Sequence, residues 1–149
     1  MQENELILIV EDSEDLNNFI AKKLRSQNYE VVQCFSADET YKQLSKNSFS
    51  LVILDLNLGN GDNGMEILHS IRIQSKMLPV IIVSSIQNEK IKIQGFREGC
   101  DDYIIKPFYI EELILRVKRM LEKFSFSGFD KKPLEEVYSC GIFRVDTTK

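Results

Sequence analysis

Charged and hydroxyl side chains stand where apolar stretches of this sequence end. They follow four such stretches: Glu11 and Asp12 the first, Asp55 the second, Ser84 the third and Lys106 the fourth. Continuous apolar stretches of this kind are typical of strands buried on both faces of a parallel sheet, and the carboxyl ends of such strands meet at one edge. The sequence therefore predicts one pocket lined by carboxylates, a hydroxyl and an ammonium group.

Carboxylates that share a pocket repel one another unless a cation neutralises them. Oxygen ligands suit Mg²⁺ or Mn²⁺, and Mg²⁺ commonly combines a few carboxylates with phosphate oxygens and water. This chemistry permits phosphoryl transfer to a carboxylate, with Asp55 as the nucleophile. In that reaction Lys106 neutralises one phosphoryl oxygen, and Ser84 donates a hydrogen bond to another.

The elements that must position this pocket alternate along the chain. Short apolar stretches such as Leu6–Val10 and Leu51–Leu54 alternate with segments whose apolar residues recur at helical spacing, such as Leu16, Phe19, Ile20 and Leu24. Five strand–helix units predict a flavodoxin-like (βα)5 α/β fold with a doubly wound, five-stranded parallel sheet in the order 2-1-3-4-5. The first turn lacks G-x-G-x-x-G and no Walker sequence occurs, which argues against dinucleotide and P-loop nucleotide binding.

Composition sets further limits. A chain of 149 residues with a net charge of −4 is long enough for one domain with a tail, and its charge argues against nonspecific binding to nucleic acid or membranes. The three cysteines lie far apart without a C-x-x-C pair, which is typical of a reducing compartment. No signal peptide or membrane-spanning stretch is evident, so we expect a cytoplasmic protein.

Four segments together resemble the receiver domain of bacterial response regulators: I-L-I-V-E-D-S, L-V-I-L-D, V-I-I-V-S-S and G-C-D-D-Y-I-I-K-P-F. The likeness covers about residues 6–124 and is greatest to the subfamily with winged-helix DNA-binding domains. It implies that a histidine kinase phosphorylates Asp55. It also implies that Asp12, Asp55 and the carbonyl of Asn57 bind Mg²⁺, with Glu11 acting mainly through water.

The same resemblance assigns a conformational switch. Ser84 and Tyr103 match the hydroxyl and aromatic positions whose rearrangement reports phosphorylation in this family. The peptide bond before Pro107 is expected to be cis. The sequence departs from the family at Gly59, where proline is usual, and in a loop to Gly64 that is one residue longer. Ser85 stands where alanine is commoner.

Charges around helix four, strand five and helix five resemble those through which active receivers of the winged-helix subfamily dimerise. The resemblance implies a homodimer in which each charge meets a charge of opposite sign on the second copy: Lys92 with Glu112, Asp102 with Arg116, Asp101 with Lys118, and Glu98 with Lys123. The alternative interpretation is a solvated charged face, since exposed ion pairs contribute little individually.

The character of the chain changes after the receiver, which we assign to residues 1–124. Residues 125–136 mix Ser, Gly, Lys and Pro, a composition that predicts a linker. Residues 137–149 resemble either the start of a truncated effector domain or an extra C-terminal strand. DNA binding would then require a further C-terminal domain, and no DNA contact is assigned to this chain.

Two other functions use some of the same residues. A haloacid-dehalogenase-type hydrolase also uses an aspartate nucleophile, but it would need a second acid where this sequence has Asn57. A pseudo-receiver would act as a scaffold without phosphorylation. The complete acidic set argues against that function, whereas the altered loop at Gly59 keeps it open.

Overall fold

A computed structural model describes residues 4–59 and 61–134, with side chains up to residue 123. Strands and helices alternate along this part of the chain: β1 Leu6–Val10, α1 Glu14–Ser26, β2 Glu30–Cys34, α2 Ala37–Lys46, β3 Leu51–Leu54, α3 Gly64–Gln74, β4 Val80–Ser84, α4 Glu89–Glu98, β5 Asp102–Ile105 and α5 Ile110–Leu134.

The five strands form one parallel sheet in the order β2-β1-β3-β4-β5, which confirms the predicted fold. Register places Val10 beside Leu54 and Leu54 beside Ile82. The residues that follow β1 and β3 therefore emerge side by side at the same edge of the sheet. The strands β1, β3 and β4 are buried almost throughout, as their continuous apolar sequences require.

Side chains cap the first two helices where the sequence offers them. Ser13 Oγ accepts a hydrogen bond from Leu16 N at the start of α1, and Ser36 Oγ accepts one from Glu39 N at the start of α2. Each hydroxyl satisfies an N–H group that has no partner inside the helix. The cap on α1 fixes the segment that directly follows Glu11 and Asp12.

The buried stripe of α1 differs from the predicted one. It consists of Asn17, Ile20, Ala21 and Leu24, whereas Phe19 is 45% exposed. Residues at i, i+3, i+4 and i+7 share a helix face, and here that face begins at a polar residue. The position of Asn17 at the start of the stripe turns Phe19 outward, where Lys23 Nζ lies 5.8 Å from its ring centroid.

Helix α5 continues to Leu134, into the segment that composition predicts as a linker. Ser125 to Lys132 contain one glycine, and Pro133 stands at the penultimate helical position, so no strong breaker ends the helix earlier. The chain divides into two compact units at Val117, inside this helix and before residue 125. Residues 137–149 lie outside the described residues, so the effector-domain interpretation stays a prediction.

Within the described residues, we find no helix that combines the length and the apolar character needed to cross a bilayer.

Candidate functional site

Three carboxylates meet at the carboxyl edge of the sheet. One oxygen from each of Glu11, Asp12 and Asp55 lies within 4.8 Å of the others. Glu11 and Asp55 are 3% and 4% exposed, whereas Asp12 faces solvent. Adjacent register of β1 and β3 produces this grouping, and Asp55 N donates to the carbonyl of Val10 at 2.9 Å.

Lys106 brings a positive charge to the same pocket from the end of β5. Its Nζ lies 2.8 Å from Glu11 Oε1 and 3.2 Å from Asp55 Oδ2. Burial disfavours the charged amine, but the hydrogen bond to Glu11 and the charges of both acids outweigh that effect and raise the pKa of Lys106. The ammonium group is therefore kept charged between two carboxylates. The Lys106–Pro107 peptide is cis, as expected.

Glu11 is held at both oxygens. Oε1 accepts from Lys106, and Oε2 accepts from Ser13 N at 3.0 Å. Burial raises the pKa of Glu11, although hydrogen bonds from Lys106 and Ser13 oppose that effect. The side chain is thus fixed in direction but is costly to ionise, which a nearby cation would offset.

The loop after β3 folds back over the acids. Asn57 N donates to Asp55 Oδ1 at 3.2 Å, and Asn57 pairs with Asn63 in an antiparallel bridge. A Cβ on Gly64 would overlap the Asp55 carbonyl oxygen, so only glycine permits this approach.

Gly59, in the same loop, has φ +73°, which proline cannot adopt, and a Cβ there would lie 3.2 Å from Asp12 Oδ2. The departure from the family's proline therefore accompanies a different backbone conformation.

The two predicted switch residues lie together, beside the pocket. Ser84 is buried, and its hydroxyl accepts from Ile86 N at 3.1 Å. Tyr103 is also buried, and its hydroxyl donates to the Ile86 carbonyl at 3.0 Å. Lys92 Nζ lies 5.9 Å from the centroid of the Tyr103 ring. Both side chains therefore contact one backbone segment, the turn after β4.

Acids of the predicted dimer face are paired within the chain. Arg116 contacts Asp102 at 2.6 Å and Glu112 at 2.9 Å. Asp101 contacts Arg72 at 3.1 Å, and Glu98 contacts His69 at 3.0 Å. The sequence interpretation assigned these acids to a second copy, and the intramolecular pairs are a feature that it did not include. Lys118 and Lys123 lie in the second compact unit.

The acidic side chains grouped at the sheet edge fit a small, hard divalent cation. They offer carboxylate oxygens, a ligand type that Mg²⁺ and Mn²⁺ prefer. Three carboxylates against the single ammonium of Lys106 leave a net charge of −2 in the pocket. One divalent cation would balance that charge.

Two supporting residues escaped the sequence interpretation. Asn17 is buried on α1 and bonds to the carbonyls of Glu11 and Cys34. Asp62, in the loop after β3, accepts from Ala37 N at the start of α2 at 2.9 Å. A polar residue at the first position of a helical core stripe was a usable signal for Asn17. Asp62 gave none, because its partner is remote in sequence.

The sequence and the structure both match known proteins. Residues 7–118 match the model of the response regulator receiver domain. Response regulator ArlR of Staphylococcus saprophyticus is 40% identical over 117 residues, which cover 78% of this chain and 52% of ArlR. This chain thus spans about half the length of that curated relative.

Two solved structures share the fold. The receiver domain of the Francisella response regulator 1452 is 30% identical with a TM-score of 0.75, and the match covers 80% of this chain and 98% of that domain. The receiver domain of NtrX from Brucella abortus is 32% identical with a TM-score of 0.73, and the match covers 78% and 98% of the two chains.

Proposed function

Because this chain belongs to the response regulator receiver domain family, we propose that it accepts a phosphoryl group on Asp55 from a histidine kinase, with Mg²⁺, and thereby switches its own dimerisation. The observation that carries this proposal is the setting of Asp55. Its carboxylate is nearly buried, yet it lies among two further acids and one lysine at the carboxyl edge of the sheet.

The transfer step needs few protein groups. An Asp55 carboxylate oxygen forms the new O–P bond, the P–N bond of a phosphohistidine breaks, and the electron pair stays on the departing imidazole nitrogen. Lys106, 3.2 Å from Asp55 Oδ2, is positioned to neutralise an oxygen of the transferred group. Asp12, Asp55 and the Asn57 carbonyl would hold Mg²⁺, with Glu11 acting mainly through water, and the ion would neutralise the acids and the phosphoryl oxygens together.

The output step would act through the turn after β4. In the unphosphorylated structure the Ser84 hydroxyl accepts a hydrogen bond from Ile86 N. A phosphoryl group on Asp55 would draw this hydroxyl toward itself. Any movement of that turn changes the hydrogen bond from Tyr103 to Ile86 and the surface of α4 and β5. Phosphorylation would in this way shift an equilibrium between two arrangements of that surface.

We further propose that the altered surface forms a homodimer and controls a DNA-binding domain attached after this segment. Similarity to a response regulator of which the matched segment covers only 52% supports a longer parent protein. The intramolecular pairs of Arg116 with Asp102 and Glu112 mean that dimerisation would extend an existing charge network. Charged networks of this kind favour specificity and partner choice more than affinity.

The function is tested by intact mass after incubation with a small acyl-phosphate donor, with Mg²⁺ and with chelator. One added phosphoryl group that requires the metal would support the proposal. If no adduct forms with this donor or with a phosphorylated histidine kinase domain, the pseudo-receiver function is favoured instead.

Arg116→Asp should weaken dimerisation of the phosphorylated protein at least tenfold. The substitution removes the cation expected to face Asp102 of the second copy and places another carboxylate beside Asp102 and Glu112 of the same chain. Sedimentation of the phosphorylated proteins measures the effect. Lys22→Asp, on the exposed face of α1, is the charge-matched control, and equal dimerisation of both variants would refute the interface.

Gly59→Ala and Gly61→Ala should lose similar stability, about 1–2 kcal/mol each, because both glycines have positive φ. Only Gly59→Ala should also weaken Mg²⁺ binding, since its Cβ would meet Asp12 Oδ2 whereas that of Gly61 would meet nothing within 4 Å. Denaturant unfolding and Mg²⁺ titration measure the two effects. Equal Mg²⁺ affinity in both variants would show that Gly59 does not affect Asp12.

A further inference from the structure

Asn17 joins the end of β1, which is followed by the pocket residues Glu11 and Asp12, to the end of the neighbouring strand β2. Its side chain is fully buried, and its Nδ2 donates to the carbonyl oxygens of Glu11 and Cys34, each at 3.0 Å. Its Oδ1 accepts from Gln33 Nε2 at 3.1 Å. Both amide protons and the amide oxygen are thus used, which satisfies a polar group that would otherwise be costly to bury.

These bonds bear on Asp12, although Asn17 does not touch it. The peptide group before Asp12 is held through the Glu11 carbonyl oxygen, which accepts from Asn17. The peptide group after Asp12 is held through Ser13 N, which donates to Glu11 Oε2 at 3.0 Å. With both flanking peptide planes fixed, the Cα–Cβ bond of Asp12 has one direction, and this limits the positions that its carboxylate can reach to its side-chain rotamers.

The remaining contacts of the Glu11 backbone show why Asn17 matters at this point. Glu11 N donates to the Cys34 carbonyl at 3.1 Å, so that carbonyl keeps a partner without Asn17. The Glu11 carbonyl, in contrast, has Asn17 as its only hydrogen-bond donor among the described contacts. An apolar side chain at position 17 would leave this carbonyl without that bond and release the peptide plane that precedes Asp12.

We propose that Asn17 is a positioning residue for the Mg²⁺ pocket, which fixes the peptide before Asp12 so that the carboxylate is aimed before the metal arrives. This inference rests on the proposed function. Residues that orient metal ligands from outside the coordination shell typically change affinity by about 10–100-fold, and the indirect action of Asn17 places its effect near the lower end.

The test compares Asn17→Ala with Asn18→Ala. Asn18 Oδ1 also accepts from Gln33 Nε2, at 2.6 Å, so Asn18→Ala removes a bond to the same partner without affecting the Glu11 carbonyl. We expect Asn17→Ala to bind Mg²⁺ about tenfold more weakly than the parent, and Asn18→Ala to bind within twofold of it. Calorimetric or NMR titration of the folded proteins measures both affinities.

Two further readouts separate positioning from general destabilisation. Saturating Mg²⁺ should restore the phosphorylation rate of Asn17→Ala to within twofold of the parent, because only metal affinity is impaired. In the metal-free protein, the Ser13 amide of Asn17→Ala should exchange faster than that of Asn18→Ala. If Asn17→Ala fails to fold, Gln33→Met, which removes the bond that orients the Asn17 amide, should still weaken Mg²⁺ binding two- to threefold.

Each outcome decides the inference. A folded Asn17→Ala with the affinity of the parent overturns it, as does equal weakening by Asn17→Ala and Asn18→Ala. Equal affinity of Gln33→Met and Asn18→Ala overturns it when Asn17→Ala is unfolded. A parent protein that binds no Mg²⁺ overturns the proposed function as well, whereas a parent that binds Mg²⁺ leaves that function standing whatever the variants do.

Discussion

Asp55→Asn is expected to accept no phosphoryl group from either an acyl-phosphate donor or a kinase. An amide oxygen is a poor nucleophile. Of the neighbouring acids, which follow β1, Glu11 is already engaged by Ser13 N and Lys106, and Asp12 faces solvent. The fold should survive, because the substitution preserves shape and removes one charge from a crowded acidic pocket. Intact mass and thermal unfolding measure the two effects.

Asp38→Asn, in the exposed first turn of α2, is the matched control and should be phosphorylated at the rate of the parent. Persistence of the adduct in Asp55→Asn would disprove the site. If Asp55→Asn loses both the adduct and the folded state, Asp55→Glu tests the chemical role instead. Asp55→Glu should fold but should be phosphorylated far more slowly, because its carboxylate is displaced.

Lys106→Met should both slow phosphorylation and destabilise the protein. The ammonium is 2.8 Å from Glu11 and 3.2 Å from Asp55, and its removal leaves two nearly buried carboxylates without a cation. We expect the phosphorylation rate to fall about 100-fold, as for loss of one group that stabilises transition-state charge. We expect the free energy of unfolding at pH 7 to fall by about 2–3 kcal/mol, since Lys106 retains some contact with solvent.

The stability loss should depend on pH in a defined direction. Burial already raises the pKa of Glu11 above its ordinary 4.5, so the Glu11 carboxyl group binds a proton more tightly in the folded state than in the unfolded state. Without Lys106 this pKa rises further, and the variant becomes relatively more stable as pH falls toward 4.5. The raised pKa of Lys106 gives the parent a contribution that is complete below 10.5 and is lost as pH rises through the folded value. The difference in free energy of unfolding between parent and variant is therefore largest between about pH 4.5 and pH 10.5.

Unfolding by denaturant at pH 5 and pH 7 measures the difference in free energy of unfolding between the parent and Lys106→Met. Addition of Mg²⁺ should reduce this difference at pH 7. Lys46→Met, in the exposed last turn of α2, controls for the loss of a charge and should match the parent at both pH values. A gap that widens on acidification would contradict the charge balance assigned to the pocket.

Much of the site follows from the sequence because its residues are fixed by strand ends. Continuous apolar stretches place Glu11 and Asp55 at the ends of neighbouring parallel strands, and β-strand register then brings them together. The position of Lys106 follows in the same way, because it comes directly after β5 and its backbone N donates to the Ser84 carbonyl. The sheet order and these contacts agree with the strand-end pattern.

Helix phase and side-chain partners were less accessible from the sequence. Apolar spacing suggested a stripe through Leu16 and Phe19, but the buried face of α1 begins at Asn17, one residue along. That shift depends on hydrogen bonds to β2, which lies 16–17 residues away. Likewise the pairing of Arg116 with Asp102 in one chain is a matter of tertiary geometry, and a pattern of complementary signs cannot separate it from pairing between two copies.

The most direct test of the central claim locates the phosphoryl group chemically. Borohydride reduces an aspartyl phosphate to homoserine, so treatment of the phosphorylated protein followed by peptide mass analysis marks the acceptor. We expect homoserine at position 55, only in samples given both phosphodonor and Mg²⁺. Unmodified Asp55 in a protein that carries the phosphoryl group at another residue would contradict the assignment.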